Sequence, residues 1–70
     1  MQIRLNGETR EVNEGWSIQE LLENLGVHVR TVVIELNRSI VRFPQFNETK
    51  LKPGDVIEVV RIVGGGSFAE

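Results

Sequence analysis

The end of the chain is the feature that most restricts what it can fold into. A strongly apolar run, residues 55–63, leads directly into the three glycines Gly64, Gly65 and Gly66, and residues 67–70 follow them. Glycine loses more backbone entropy on ordering than any other residue, so three in a row add nothing to a folded element. We therefore predict one domain over residues 1–63 and a flexible tail over residues 64–66, thin enough to enter a narrow channel on another protein.

Length and composition exclude several classes of protein. Seventy residues make one small domain, which buries only about 60% of its unfolded surface. The absence of cysteine excludes thiolate metal sites and fits a reducing compartment, so we expect a cytoplasmic protein. With one histidine, a histidine metal cluster or a catalytic triad is excluded in practice. We expect no metal site.

Charge and hydropathy argue against two kinds of partner. The net charge is −2 and the lysines and arginines are scattered, whereas nucleic-acid binders usually carry a strong basic excess. No apolar run approaches the roughly 18 residues that a membrane span needs, and the N-terminus lacks the apolar segment of a signal peptide. We therefore expect neither nucleic acid nor membrane as a partner.

The first part of the chain predicts a hairpin. Residues 2–5 alternate polar and apolar, as a half-buried strand does, and residues 9–12 form the return strand. Between them lies Asn6-Gly7, the strongest short hairpin signal, because both turn residues must tolerate positive φ.

One helix is predicted next, from about Ile18 to Leu25. Ser17 and Glu20 match the capping box, in which each side chain satisfies an unpaired backbone donor. Gly26 stands where a left-handed residue commonly ends a helix. The apolar stripe of this helix consists of Ile18, Leu21, Leu22 and Leu25.

The rest of the chain predicts strands. Residues 31–36 are rich in β-branched side chains, residues 40–41 are a short candidate strand, and Pro53-Gly54 forms a turn before the long apolar strand 56–63. This order gives an α+β fold in which one helix packs on a four- to five-stranded sheet. The first and last strands should be central, and the last should be covered on one side and partly exposed on the other.

Short motifs occur along residues 1–66, most of them at or near the ends of the predicted elements. They are Met1-Gln2-Ile3, Asn6-Gly7, residues 17–22, residues 33–37, Pro53-Gly54-Asp55 before residues 56–58, and the glycines 64–66. In this combination the chain closely resembles the ubiquitin-like β-grasp sulfur carriers, and more closely the ThiS family of thiamin thiazole biosynthesis. The resemblance implies a ubiquitin-like β-grasp fold with a mixed sheet packed on one main helix.

The resemblance also implies a carrier whose C-terminal glycine is the working group. A ThiF-like adenylating enzyme uses ATP to turn the glycine carboxylate into an acyl adenylate. Sulfur from a cysteine desulfurase relay displaces AMP and leaves a thiocarboxylate, and a ThiG-like thiazole synthase takes that sulfur into the thiazole ring. Gly66 matches the reactive glycine, and Gly64 and Gly65 match the segment that threads into the partner's active site. The carrier supplies no acid, base or nucleophile, so the resemblance implies no enzymatic activity, no catalytic residue and no bound cofactor.

Residues 67–70 depart from the family pattern, in which the chain usually stops at the glycine. The extension implies either a precursor that a processing protease trims or residues added to the natural chain. Until the extension is removed, Gly66 has no free carboxylate to activate.

Five further residues are candidate partner contacts: Arg61, Ile62 and Val63 at the start of the tail, and Phe43 and Phe46 in a loop. Each has a structural alternative. Arg61 can pair with a carboxylate of its own sheet, the apolar strand residues can pack in the core, and the two phenylalanines can pack beneath their loop.

Two other functions remain open. One is a related sulfur carrier with the same fold, for molybdopterin or for cysteine or another sulfur metabolite. The other is a non-catalytic β-grasp interaction module, similar to a TGS domain, without C-terminal chemistry. Replacing Gly65 and Gly66 by alanine should abolish sulfur loading in a carrier and leave an interaction module functional.

Overall fold

The computed structural model describes residues 1–63 and 67–68. Its elements, in chain order, are β1 Gln2–Leu5, β2 Glu8–Glu11, α1 Ile18–Leu25, β3 Val32–Leu36, β4 Ser39–Val41, β5 Val56–Val63 and β6 Ser67–Phe68. Two short 3-10 turns, Val29–Thr31 and Phe43–Gln45, lie before β3 and after β4. The predicted order of hairpin, helix and strands is confirmed. None of the helices in the described ranges is long and apolar enough to cross a membrane.

The sheet is mixed and β5 lies at its centre, as predicted. The strand order is β2-β1-β5-β3-β4, with β6 pairing separately to β5. Strand β1 runs parallel to β5, with Arg4 opposite Val56 and Leu5 opposite Ile57. On its other side β5 runs antiparallel to β3, from Ile57 to Arg61. With α1 on one face of the sheet, the architecture is the predicted α+β fold.

The turn between β1 and β2 has the geometry that its sequence predicts. Asn6 and Gly7 both have positive φ, 49° and 84°, as a type I′ turn requires. Asn37 and Arg38 repeat this arrangement between β3 and β4, with φ of 51° and 73°. An asparagine tolerates this conformation better than most residues do, because its short polar side chain can hydrogen-bond locally.

Helix α1 begins and ends at the predicted residues. The amide of Glu20 donates to Ser17 Oγ at 3.2 Å, and the amide of Ser17 donates to Glu20 Oε1 at 2.9 Å. At the other end Gly26 is left-handed, with φ of 73°, and its amide donates to the carbonyl oxygen of Glu23 at 3.1 Å. Both ends are therefore fixed by local sequence.

The irregular segment after β4 is held by the beginning of the helix. The amide of Ile18 donates to the carbonyl oxygen of Thr49 at 3.0 Å, and that of Gln19 donates to the carbonyl of Phe46 at 3.2 Å. Leu51 in turn donates to the carbonyl of Trp16 at 2.8 Å. Because the first amides of a helix lack partners within it, this segment supplies acceptors that water would otherwise provide.

The core lies between α1 and the sheet. Buried apolar side chains include Ile3, Leu5, Val12, Ile18, Leu21, Leu22, Val32, Ile34, Phe46, Leu51 and Ile57. Along β5, Ile57 is fully buried whereas Val56 is 43% exposed on the opposite face. The prediction of a central strand covered on one side is confirmed.

Candidate functional site

The predicted working end of the molecule begins where β5 ends. Strand β5 runs from Val56 through Arg61 to Val63, and the tail glycines Gly64, Gly65 and Gly66 come directly after it. These three glycines lie outside the described residues, so their assignment as the reactive and threading positions stays a prediction. The structure does define the base from which the tail leaves, which is the central strand of the sheet.

Arg61 is exposed near this end of β5, opposite Val32 of β3. In the part of the chain that the structure describes, the one ion pair joins the amino group of Met1 to Glu11 Oε2 at 2.8 Å. Arg61 therefore makes no salt bridge to a described carboxylate, and the predicted pairing within its own sheet is not seen there.

A cleft of about 330 Å³ lies beside Arg61 on the face of the sheet that carries α1. Its lining includes the apolar side chains of Leu5, Leu25, Val27 and Val59 and the cationic side chains of Arg10 and Arg61. Nothing in the sequence patterns indicated this cleft, because Arg10 is 51 positions from Arg61 in the chain and is brought near it by the β2-β1-β5 order.

Ile62 and Val63, the other predicted contacts at this end, lie in β5 opposite β6. The register is antiparallel, with Ile62 opposite Phe68 and Val63 opposite Ser67. The sequence predicts residues 67–70 only as an extension outside the domain, and a strand at Ser67–Phe68 was not expected. The extension thus contributes two residues to the edge of β5.

Phe43 and Phe46 have different environments. Phe43 is 39% exposed, and the guanidinium of Arg30 lies over its ring, with the Arg30 Cζ atom 5.1 Å from the ring centroid. Phe46 is 1% exposed and meets Phe43 edge to face, with the ring centroids 5.9 Å apart. The expectation that Phe46 contacts a partner is corrected here, because its ring is part of the core. Phe43 remains accessible.

Sequence reasoning missed the contact that holds the start of β5. Asn37 Nδ2 donates to Asp55 Oδ1 at 3.0 Å, and the amide of Val56 donates to Asn37 Oδ1 at 2.9 Å. The amide of Lys52 donates to Asp55 Oδ2 at 2.7 Å. The sequence does show an asparagine in one turn and an aspartate directly after Pro53-Gly54. Neither residue, however, indicates that the other is its hydrogen-bond partner.

A helix packed on a mixed sheet, with a central strand β5 that leads into glycines, defines a ubiquitin-like β-grasp protein. Residues 3–66 match the model of the ThiS family, and the chain therefore belongs to the ThiS family. The match ends at Gly66, so the family pattern covers the domain from Ile3 onward and the glycine tail but not residues 67–70.

Individual relatives agree with this assignment. The chain is 39% identical over 62 residues to the sulfur carrier protein ThiS of Thermus thermophilus, covering 89% of this chain and 95% of that protein. It is 34% identical to the sulfur carrier protein ThiS of Bacillus subtilis, covering 91% and 98% of the two chains. The crystal structure of a thiamine biosynthesis protein, ThiS, from Geobacter metallireducens superposes with a TM-score of 0.83 at 33% identity, covering 94% of this chain and all of that one.

Two larger relatives match over part of their length. The chain is 36% identical to a thiazole synthase of Paramagnetospirillum magneticum and 36% identical to one of Magnetococcus marinus. It spans 21% and 20% of those two proteins, and 96% and 94% of its own length is covered. About a fifth of each thiazole synthase therefore resembles this whole chain.

Proposed function

We propose that this protein is the sulfur carrier that supplies sulfur for the thiazole ring of thiamin. The observation that carries the proposal is the family match over residues 3–66, which ends at the glycine that the reaction would use. In the proposed reaction the Gly66 carboxylate is the group activated and loaded. The carrier is a substrate of its partners and does not catalyse the reaction itself.

The chemistry suits a glycine terminus. A carboxylate is a poor electrophile, so attack by a sulfur nucleophile needs a leaving group in place of an oxygen. A ThiF-like partner supplies that group by transferring AMP from ATP to the carboxylate, with release of pyrophosphate. The donor's sulfur then attacks the acyl carbon, and the bond to AMP breaks as the C–S bond forms. Hydrogen sulfide gives the thiocarboxylate directly, whereas a persulfide donor gives an acyl disulfide that a thiol reductant cleaves to the thiocarboxylate. Glycine favours both steps because it has no Cβ to hinder approach to the carbonyl carbon.

A ThiG-like thiazole synthase is the proposed receiver of the sulfur. The two thiazole synthases that contain a segment similar to this chain support that pairing, because one polypeptide there includes both a carrier-like segment and the remainder of the protein. A molybdopterin carrier remains the second candidate with the same fold, but the ThiS family match favours thiazole formation. We expect the reaction to take place in the cytoplasm, where ATP is available.

Removal of residues 67–70 is part of the proposal. A peptide bond to Ser67 occupies the Gly66 carbonyl, so no acyl adenylate can form there until a protease cleaves that bond. The trimmed form, residues 1–66, is the proposed working carrier.

The test is to load the trimmed chain with its adenylating enzyme. The chain ending at Gly66 is incubated with the ThiF-like protein of the same organism, ATP and a sulfur donor, and its intact mass is measured. We expect ATP–pyrophosphate exchange that depends on the carrier, and a product in which sulfur replaces one oxygen. The full chain and a trimmed Gly65→Ala variant serve as controls, and neither should be loaded.

Two results would contradict the proposal. If the trimmed chain is never adenylated, Gly66 is not the working end and the interaction-module alternative takes its place. If the Gly65→Ala variant is loaded as fast as the parent, the tail does not thread a narrow channel. Urea denaturation of the same samples should show equal stability, since the described buried core runs from Ile3 to Ile57 and the substitution comes later in the chain.

A further inference from the structure

The cleft beside the tail has a composition suited to one kind of ligand. Its apolar lining residues are Leu5, Val59, the last helix residue Leu25 and, just after the helix, Val27. Its lining also includes the exposed arginines Arg10 and Arg61. We propose that this cleft is the docking site for an acidic segment, with one apolar side chain, on the protein that adenylates the C-terminal glycine. This inference rests on the proposed function and adds the surface by which the partner recognises the domain.

Sheet register places the two arginines on the same side. Arg10 of β2 is opposite Ile3, and Leu5 of β1 is opposite Ile57. Side chains alternate along a strand, so Arg61 shares a face with Ile57 four residues earlier, and Arg10 shares the face of Ile3. Both arginines therefore lie on the helix-bearing face, although they belong to different strands.

The charge of the side chains that line the cleft indicates the chemistry of the partner. The cleft lining also includes Glu8, so the net charge of its ionisable groups is positive by one. Arg10 and Glu8 are both exposed, and in the described residues neither is in a salt bridge. Each guanidinium presents several N–H donors in a planar fork that fits a carboxylate, so a partner glutamate or aspartate is the complementary group.

The size of the cleft and the partial burial of its apolar lining indicate the second component of the partner's segment, an apolar side chain. A volume of about 330 Å³ is at the lower end of the range for small-molecule sites and accommodates one or two side chains. Leu25, Val27 and Val59 are only partly buried by the domain itself. An apolar side chain placed over them removes further apolar surface from water, which favours formation of a complex.

The position of the cleft connects docking with the chemistry. Arg61 lies two residues before the end of β5 and five residues before Gly66. A partner held at the cleft therefore has the tail within a short reach of its own active site. Fixing one end of a short segment raises the effective concentration of the other end at that site.

The test uses Arg10, which is outside the tail. We would measure the dissociation constant between the trimmed chain and the adenylating protein without ATP, and the KM for the carrier with ATP. Arg10→Gln should raise both by about fivefold at low salt, a free-energy difference of about 1 kcal/mol. The kcat should not change, and the loss should shrink as salt screens the interaction. Arg10→Lys should recover part of the affinity, because it keeps the charge but lacks the planar fork that binds both carboxylate oxygens.

Arg4→Gln is the matched control. Arg4 is exposed on β1, and its neighbours Ile3 and Leu5 are buried, so it points to the opposite face of the sheet. If Arg4→Gln weakens binding as much as Arg10→Gln does, or only Arg4→Gln weakens it, the partner does not recognise the cleft and the proposal is wrong. It is equally wrong if Arg10→Gln changes neither constant.

A second candidate occupant of the cleft is the extension of the same chain, residues 67–70. If the full chain binds the partner more weakly than the trimmed chain, and Arg10→Gln abolishes that difference without weakening the trimmed chain, the extension occupies the cleft instead. The proposed function is judged separately. If the parent trimmed chain is never adenylated, the function fails, whereas adenylation that is insensitive to Arg10 overturns the docking inference alone.

Discussion

Replacing Asn37 tests how the start of the tail-bearing strand is held. Asn37 has a left-handed backbone, with φ of 51°. Its side chain donates to Asp55 Oδ1 at 3.0 Å and accepts from the amide of Val56 at 2.9 Å. Asp55 is only 8% exposed. One asparagine therefore joins the β3–β4 turn to the first residues of β5.

The expected loss of unfolding free energy is the sum of a side-chain effect and a backbone effect, which two substitutions of Asn37 separate. Asn37→Gly accepts the positive φ but removes both side-chain hydrogen bonds. Water can replace the acceptor at the exposed Val56 amide, whereas loss of the bond to the charged Asp55 carboxylate costs about 1.5–3 kcal/mol. Asn37→Ala loses the same bonds and adds about 1–2 kcal/mol, because a Cβ atom is strained in the left-handed region. A chain of 70 residues has a total stability of about 3.5–10 kcal/mol, so the alanine variant should lose a large part of it.

The assay is equilibrium unfolding in urea, followed by the fluorescence of Trp16, the single tryptophan, and by circular dichroism. Asn47→Ala is the control, because Asn47 is exposed and its side chain has no hydrogen-bond partner among the described residues. Equal stability of Asn37→Ala and Asn37→Gly would refute the argument from left-handed strain. Losses below about 0.5 kcal/mol in both would show that the contact with Asp55 contributes little.

Three further substitutions should change the urea midpoint in predictable directions. Phe46→Ala should cost about 3–5 kcal/mol, because it empties a site that is 1% exposed; a loss under 1 kcal/mol would mean that the loop is not part of the core. Ser17→Ala should cost about 0.5–2 kcal/mol by removing the helix cap, with Gln19→Ala as a nearby control that leaves the cap intact. Glu58→Gln should stabilise the domain by a few tenths of a kcal/mol at low salt, since Glu58 lies directly opposite Glu35 and like charges in that position repel; destabilisation would show that Glu58 has a favourable contact.

The elements that could be predicted are those whose determinants are local. Asn6-Gly7 specifies its turn because two adjacent residues must both accept positive φ. Ser17 and Glu20 specify the start of α1 through bonds within three residues, and Gly26 specifies its end. None of these features depends on where the rest of the chain lies.

What could not be predicted depends on contacts between distant residues. Asn37 and Asp55 are 18 positions apart and meet only because β3 and β5 are neighbours. The sequence context of Phe46 favours packing beneath its loop over partner contact, but it does not show that the segment also supplies backbone acceptors to the start of α1. The cleft between Arg10 and Arg61 likewise exists only once the strand order is known.

Burial along β5 indicates why stability and partner binding can be separated in this molecule. On its core-facing side, Ile57 is fully buried, Val59 is partly buried and Arg61 is exposed. The parallel pairing with β1 is likewise confined to the first two residues of β5. Burial on the core-facing side is therefore concentrated at the beginning of the strand, whereas backbone pairing with β3 continues to Arg61. Under the proposed function, a partner that binds beside the exposed Arg61 need not displace the buried Ile57, so it can bind and leave without loosening the core there.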